Sequence, residues 1–426
     1  MLHGSGSTAP AMRVALVHDW LTGRRGGELV LAQLVRLFPG SEIFTLLQVP
    51  GSVGPDVESR PVHTSPLQRV PGIEHRYRAL LPLMPAAMRF LDLRGFDLVI
   101  SSSHCVAKGA RVPPGIPHLA YVHSPMRYMW DQFDTYFGPG RASLPVRLAA
   151  AASRPALQAW DRRTAADPDA LVANSHHVAR RIAQFWGREA DVIHPPVDLA
   201  RFGMEPPAPG GRPRSPPHQG EARGAAQGRR ASMLTGAGAP RVQAQEAGGR
   251  GGYFLWLGAL APYKRVDLAV EAFRRTGDVL WIAGDGQDAR LLRAGLPPNV
   301  RWLGKVPDAD VPELYRGARA LIFPGEEDFG IAPLEALASG RPVIALARGG
   351  ALETLTPETG LLFDTPEPEA LVDAVRQFES FERSFEPARA RARAELFSEE
   401  RFRAAVQRKV EALVAARPDL RDRLPW

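Results

Sequence analysis

One cysteine, Cys105, in 426 residues excludes an intramolecular disulfide, and with it the small secreted scaffolds built on such bridges. That usage fits a reducing cytoplasm. No run of about 18 apolar residues occurs, so no membrane-spanning helix is expected. None of the histidines is spaced H-x-x-x-H, and no D-x-D directly ends an apolar strand-like run. A zinc centre is therefore not expected, and no metal is expected to be essential. The start, "MLHGSGSTAPAM", lacks the charged-then-apolar pattern of a secretory signal. It reads as a disordered leader over residues 1–11, with order beginning near Met12.

Acidic charge is the scarcer sign, and the chain carries a net +7. Much of that excess is local. Between Gly203 and Gly252 lie seven arginines and three acids, in a stretch dominated by glycine and proline. Such a stretch cannot bury enough apolar surface to offset its ordering entropy. It reads as a disordered insertion over residues 201–251, with a basic tether as the sharper alternative. The basic balance thus argues only weakly for nucleic acid, which is not expected as a partner. An anionic membrane or a phosphorylated substrate fits equally well.

The chain is long enough for two cores, and both flanks of the insertion alternate short apolar runs with helical patterns. In the first half the strand-like runs are "RVALVH" (13–18), "EIFTLL" (42–47), "FDLVISSS" (96–103), "PHLAYVH" (117–123), "ALVANS" (170–175) and "ADVIH" (190–194). A glycine-bearing loop and a helix over about 28–38 follow the first of them. In the second half they are "GYFLWLGAL" (252–260), "VLWIAG" (279–284), "VRWLG" (300–304), "RALIFPG" (319–325) and "RPVIALA" (341–347), with a helix from Lys264 after the first. Continuous apolar runs alternating with helices mean parallel sheets covered on both faces. The expected organisation is an N-terminal domain over 12–200, a C-terminal domain over 252–396, and a C-terminal helix over 397–426 that packs back toward the first domain. Ligands sit at the C-terminal ends of such strands, which selects the loops that matter.

One of those loops is the start of "GEEDFGIAPLEALASG" (325–340). Glu327 falls after a strand and Glu335 in the first turn of the next helix, where Pro333 suits the first turn and Gly340 the end. Free amides at a helix start, with Gly330 allowing close approach, suit an anionic group such as phosphate. Taken singly, Glu335 reads as a dipole-complementing acid and Glu327 as a solvated loop charge. "GDG" with Ala289 formally matches a dinucleotide fingerprint, but it lies mid-domain with no acid about 20 residues on, so NAD binding is not expected. The stretch 65–90 mixes Arg69, Arg76, Arg78 and Arg89 with Leu80, Leu81, Leu83, Met84 and Phe90. It suits contact with an anionic bilayer or an ordinary packed helix, and Pro82 and Pro85 break any long helix.

The whole pattern around Glu327 and Glu335, with Phe329 and Gly330, resembles the donor-binding signature of the retaining glycosyltransferases of family 4. "LGALAPYKRVDLAVEAF", "IAGDG", "VRWLGKVPDADVPELYRGA", "IHPPVDLARF" and "RVALVHDWLTGRRGGE" are similar to other parts of that family. The wording of "VISSSHCVAKG" and "HSPMRYMWDQFDTYFGPG" is like its bacterial mannosyltransferases of surface-polysaccharide synthesis. The resemblance implies a GT-B fold, an α/β architecture of two doubly wound Rossmann-like domains facing a central cleft. It implies transfer of a hexose, mannose from GDP-mannose, to a lipid-linked oligosaccharide or polysaccharide acceptor at the inner face of the cytoplasmic membrane. UDP-glucose or UDP-N-acetylglucosamine as donor, or a non-catalytic sugar-nucleotide-binding protein, are the alternatives. The nucleotide-sugar is a substrate, and no cofactor is implied.

The same resemblance assigns residues. Lys264 would neutralise the leaving diphosphate, Glu335 would hold the ribose, and Glu327 the hydroxyls of the sugar. Phe329, Gly330 and Ile331 would complete the donor loop, with Gly349 and Gly350 admitting a second close turn. Gly26 and Gly27, ending the loop after the first strand, would pack against the diphosphate, and His123 would contact the transferred sugar or the acceptor. His123 read singly is a loop anchor; His18, His104 and His176 are weaker candidates. The family usually carries Arg directly after the glycine of its first C-domain strand, where this chain has Ala259. Arg265, where the family commonly has Gly, is the nearest candidate to supply that charge. Two glutamates also fit a glycosidase pair, but here they come with phosphate-directed features rather than across a scissile bond.

Overall fold

The computed structural model describes residues 11–204 and 252–426; the leader up to residue 10 and the 205–251 part of the insertion lie outside them. Thirteen strands among the described residues form two sheets. The first holds β1 (Val14–His18), β2 (Glu42–Thr45), β3 (Val62–Thr64), β4 (Leu98–Ser103), β5 (His118–Val122), β6 (Ala170–Ala173) and β7 (Asp191–Val192). Its order is β3-β2-β1-β4-β5-β6-β7, and all pairings are parallel. The second holds β8 (Tyr253–Leu257), β9 (Leu280–Ala283), β10 (Val300–Gly304), β11 (Ala318–Phe323), β12 (Val343–Leu346) and β13 (Gly360–Phe363). Its order is β10-β9-β8-β11-β12-β13, again parallel.

Central strands β1, β4, β5 and β6 are buried at every residue. Helices cover both faces, which is why these strands read as apolar runs, closed in β4 by three buried serines, rather than as alternations. Each sheet reverses its strand order once, between β1 and β4 and between β8 and β11. Such a switch point opens a crevice at the strands' C-terminal ends. The loops after β1 and β4 therefore meet in one domain, and those after β8 and β11 in the other.

The helix Glu399–Val414 sends Phe402, Val406, Val410 and Val414 into the same core as Val14, Leu16, Leu31 and Ile100. The last helical segments thus pack on the first domain, and Arg36 and Gln33 bind Glu399 there.

Local structure departs from the sequence reading in several places. The first long helix runs Gly26–Leu37, so Gly26 and Gly27 open it rather than end a loop. The helix after β11 runs Ile331–Ala338, which puts Glu335 past its first turn, too deep to complement the helix dipole. Lys264 closes a 3-10 turn, Pro262–Lys264, and the helix proper starts at Val266. Segment 65–90 is a chain of short 3-10 and α turns, as its prolines require. Ile73, Tyr77, Met84 and Met88 join the core around Trp20 and Phe44, while Arg69, Arg76, Arg78, Arg89, Leu83 and Phe90 face outward. Among the described residues no helix is long and apolar enough to cross a membrane.

Candidate active site

At the switch point of the second domain, Lys264 Nζ lies 2.5 Å from Glu327 Oε1. Burial disfavours the ammonium, but the adjoining carboxylate outweighs it and the Lys264 pKa is raised. The lysine stays charged. The Glu327 loop is built by close backbone approach. Gly350 N–H donates to the Glu327 carbonyl at 2.9 Å, and a Cβ on Gly349 would stand 2.2 Å from that same oxygen. A Cβ on Gly350 would stand 2.1 Å from the Phe329 carbonyl oxygen. The glycine pair thus presses on the loop that carries Glu327. Gly284 and Gly286 play a similar part below Lys264, where a Cβ would meet the Gly258 and Leu260 main chain. Their spacing is explained by this packing, with no dinucleotide needed.

Phe329 turns into the core, stacked on His194 with centroids 5.4 Å apart, so the loop offers main chain there. Glu335 accepts from the Tyr315 hydroxyl at 2.8 Å; burial raises its pKa, partly offset by that hydrogen bond. A carboxyl group held this way is ready to accept from further hydroxyls. Glu335 and Ile331 line a gap of about 20 Å³ against Arg24, Leu29 and Arg201. That is room for about one water molecule, so the domains meet closely. A larger cavity of about 420 Å³ lies elsewhere, beside Arg13, Phe44, His63 and Phe90.

From the first domain, Gly26 approaches Ile331; a Cβ there would stand 3.0 Å from its Cδ1. Gly27 would carry a Cβ 3.4 Å from the His18 ring and 3.6 Å from that of His123. His123 and His18 share the Ser102 hydroxyl, at 2.8 and 3.2 Å. Burial lowers the His123 pKa to about 3 and that of His18 to about 4. Both rings are neutral at pH 7 and act as hydrogen-bonding groups rather than cations. Behind them Asp19, buried, accepts from the amides of His104, Cys105, Val106 and Ala107. Burial opposes its charge, yet His104 and those amides hold it well below the usual carboxylate range. This fixes the loop after β4 against β1.

Arg265 is placed differently from the other residues. It has φ +51°, in the left-handed region, and its guanidinium binds Asp267 at 3.1 Å and reaches the Pro366 carbonyl. The cation beside Lys264 is instead Arg127, from the first domain. It lies 4.5 Å over the Tyr263 ring, pairs with Asp328, and stands near enough to Lys264 to repel it. Asp328 is buried and also binds Arg181 at 2.6 Å, while its carbonyl accepts from Ser175 at 2.6 Å. Sequence reading passed over Arg127, Asp328 and Arg181. The available signal was the charge pattern in "HSPMRYMWDQF", "HHVARRIAQFW" and "GEEDFG", whose pairing across the domains no spacing reveals.

Comparison with known proteins gives this geometry its relatives. Residues 24–201 match the family profile described as Glycosyltransferase Family 4, and residues 242–395 the one described as Glycosyl transferases group 1. The chain is 38% identical over 111 residues to a GDP-mannose-dependent alpha-mannosyltransferase of Mycolicibacterium smegmatis, covering 26% of this chain and 29% of that protein. It is 34% identical over 124 residues to the lipopolysaccharide core biosynthesis mannosyltransferase LpsB of Rhizobium meliloti, covering 28% of this chain and 34% of that one. Matches to curated relatives span about half of their length or less. The structure of Anabaena HepE, solved in complex with UDP, superposes with a TM-score of 0.62 at 17% identity, covering 94% of this chain and 100% of that one. With both halves matched and the fold of the described residues shared, the chain belongs to the family 4 glycosyltransferases, of GT-B fold.

Proposed function

We propose that the protein transfers a hexose, mannose from GDP-mannose, to a lipid-linked oligosaccharide or polysaccharide acceptor, with retention of anomeric configuration. The observation that carries this reading is the Lys264–Glu327 pair at the second domain's switch point. Glu335 stands on the next helix, and neutral His123 belongs to the facing domain. In this reading Glu335 holds the ribose hydroxyls, Glu327 those of the sugar, and the main chain of Phe329, Gly330 and Ile331 the donor loop. Gly26 and Gly27 leave space for the diphosphate.

The bond from the sugar's anomeric carbon to the diphosphate oxygen breaks, and one to the acceptor oxygen forms on the same face. The acceptor's proton passes to the departing diphosphate oxygen, whose growing charge Lys264 and Arg127 neutralise. No separate general base is required. Arg127 also answers the departure at Ala259, since it supplies the second cation that Arg265 does not. The mannose assignment draws on the mannosyltransferases among the relatives. The outward-facing arginines with Leu83 and Phe90 in 65–90 support an acceptor delivered at an anionic membrane, with the enzyme at its cytoplasmic face.

The test is thermal stabilisation by GDP-mannose, UDP-glucose, UDP-N-acetylglucosamine and ADP-glucose, with Glu335→Ala as control. Only a ligand that prefers the folded state raises the midpoint. A shift with GDP-mannose that vanishes in the variant, together with release of GDP once acceptor-bearing membrane extract is added, is the expected result. A shift with a UDP-sugar alone would overturn the mannose assignment. Binding without nucleotide release would favour the non-catalytic reading.

A further inference from the structure

We propose that His176, His194 and Glu353 form a zinc-type divalent metal site that joins the two domains beside the donor loop. One ligand atom from each of these residues can be chosen so that all three lie within 4.8 Å of one another. They come from distant parts of the chain. His176 opens the helix His176–Trp186 of the first domain, His194 follows β7, and Glu353 lies in the short helix Ala351–Thr354 of the second.

Two of the three atoms are already close: His194 Nε2 is 2.9 Å from Glu353 Oε2. Two ligands of a tetrahedral zinc, each about 2.0–2.2 Å from the ion, stand only a few tenths of an ångström further apart. The carboxylate is held by its surroundings, accepting from the amides of His176 and His177 at 2.8 Å each. An ionised carboxylate offers about four lone-pair sites; two take these amides and one the His194 ring, and a metal would replace the proton of that last contact. The amides orient the ligand as outer-shell partners do. The His194 ring is fixed by its stack on Phe329. His176 is exposed, with its ring 5.9 Å from that of His194, and is the ligand free to swing inward.

Two imidazoles and one carboxylate favour zinc over magnesium or calcium, which prefer oxygen alone. Three protein ligands leave a fourth position for solvent. The site does not depend on the glycosyl-transfer reading. It has a consequence for the cleft all the same, because Gly350, three residues before Glu353, donates to the Glu327 carbonyl. A metal here would tie the donor loop's support to the first domain.

The experiment is isothermal titration of the chelator-treated full chain with zinc chloride, alongside thermal unfolding with and without zinc, and with magnesium for comparison. The expected result is one equivalent of zinc and a raised midpoint, with no such rise for magnesium. His176→Ala, an exposed substitution that should leave the metal-free midpoint unchanged, is expected to weaken zinc binding at least about tenfold. Glu353→Gln, which keeps the shape of the side chain, should do the same. No uptake by the wild type at millimolar zinc, or equal uptake by His176→Ala, overturns the proposal. An equal midpoint rise with magnesium would also overturn it.

Discussion

Replacing Lys264 by methionine leaves Glu327 as an unpaired carboxylate in the domain cleft, and the structure sets the size of the effect. At 2.5 Å and an effective dielectric constant near 20, two unit charges attract by about 7 kcal/mol. Desolvation of the two ions opposes this by several kcal/mol each. Breaking a buried pair on one side costs about 3–5 kcal/mol; the two side chains here are 15% and 14% exposed, so water recovers part of it. We expect Lys264→Met and Glu327→Gln each to cost about 2–3 kcal/mol, a fall of roughly 4–12 °C in the midpoint for a domain of this size. The double variant removes both charges and should recover most of that loss. Activity should behave differently. Loss of one preorganised charge at the leaving group is expected to slow turnover about 10²–10³-fold, and the double variant should stay slow although it is stable. Four melting curves and four rates of GDP release from GDP-mannose decide it. Additive midpoints across the cycle would refute the coupling. A Lys264→Met enzyme at wild-type rate would refute the role in departure.

Three further expectations rest on other contacts. Gly350→Ala drives a Cβ into the Phe329 main chain, which cannot swing aside. It should cost about 1–3 kcal/mol and abolish stabilisation by donor, and an unchanged midpoint shift with donor would refute the account of the loop. His18 and His123 have pKa values depressed to about 4 and about 3, against about 6.5 in the unfolded chain. Below pH 6.5 the unfolded state takes up protons that the folded state refuses. The stability these residues contribute is thus whole above that pH, and is lost as pH falls toward 4 and 3, by up to about 1.4 kcal/mol per unit for each. Melting curves between pH 7.5 and 5 should slope accordingly, more shallowly in His123→Asn, and equal slopes would count against it. Arg127→Gln should slow nucleotide release about 100-fold while Arg265→Gln leaves it unchanged. Arg265→Gly should be stable or gain about 1 kcal/mol by relieving the left-handed backbone. The reverse ranking of the two arginines in steady-state kinetics would overturn the assignment.

What the sequence made legible followed from burial on both faces. Strands such as Ala170–Ala173 and Leu280–Ala283 are fully buried and print as short apolar runs with no alternation. The edge strand Val62–Thr64 is half-exposed with His63 and Thr64 outward, and Gly360–Phe363 exposes Leu362, so neither stands out. Boundaries slipped where a glycine signalled a turn that the helix absorbed, as at Gly26. At the site, the family-like motifs pointed to Lys264, Glu327 and Glu335, which lie on the segments that follow β8 and β11. Arg265 was read from its adjacency to Lys264, yet a left-handed residue sends its side chain off to Asp267. Arg127 acts on a loop 201 residues away, through Asp328. Adjacency in sequence pointed to Arg265, whereas the fold brings Arg127 beside Lys264.

That placement bears on how the cleft can work. In the proposed reading the diphosphate comes to the Lys264–Glu327 pair, beside the seam between the domains. The seam there is held chiefly by polar contacts: Arg127 and Arg181 on Asp328, Ser175 on the Asp328 carbonyl, and Glu353 on His194 and two amides. Parting them without a substitute would strand buried charges, which is expensive. A diphosphate entering beside Lys264 brings its own anionic oxygens within the domain of Arg127. In the proposed reading it competes with Asp328 for that guanidinium. An arginine suits this better than a lysine, because its planar fork fits carboxylate and phosphate alike. On this argument one arginine serves both the Asp328 contact and the proposed site.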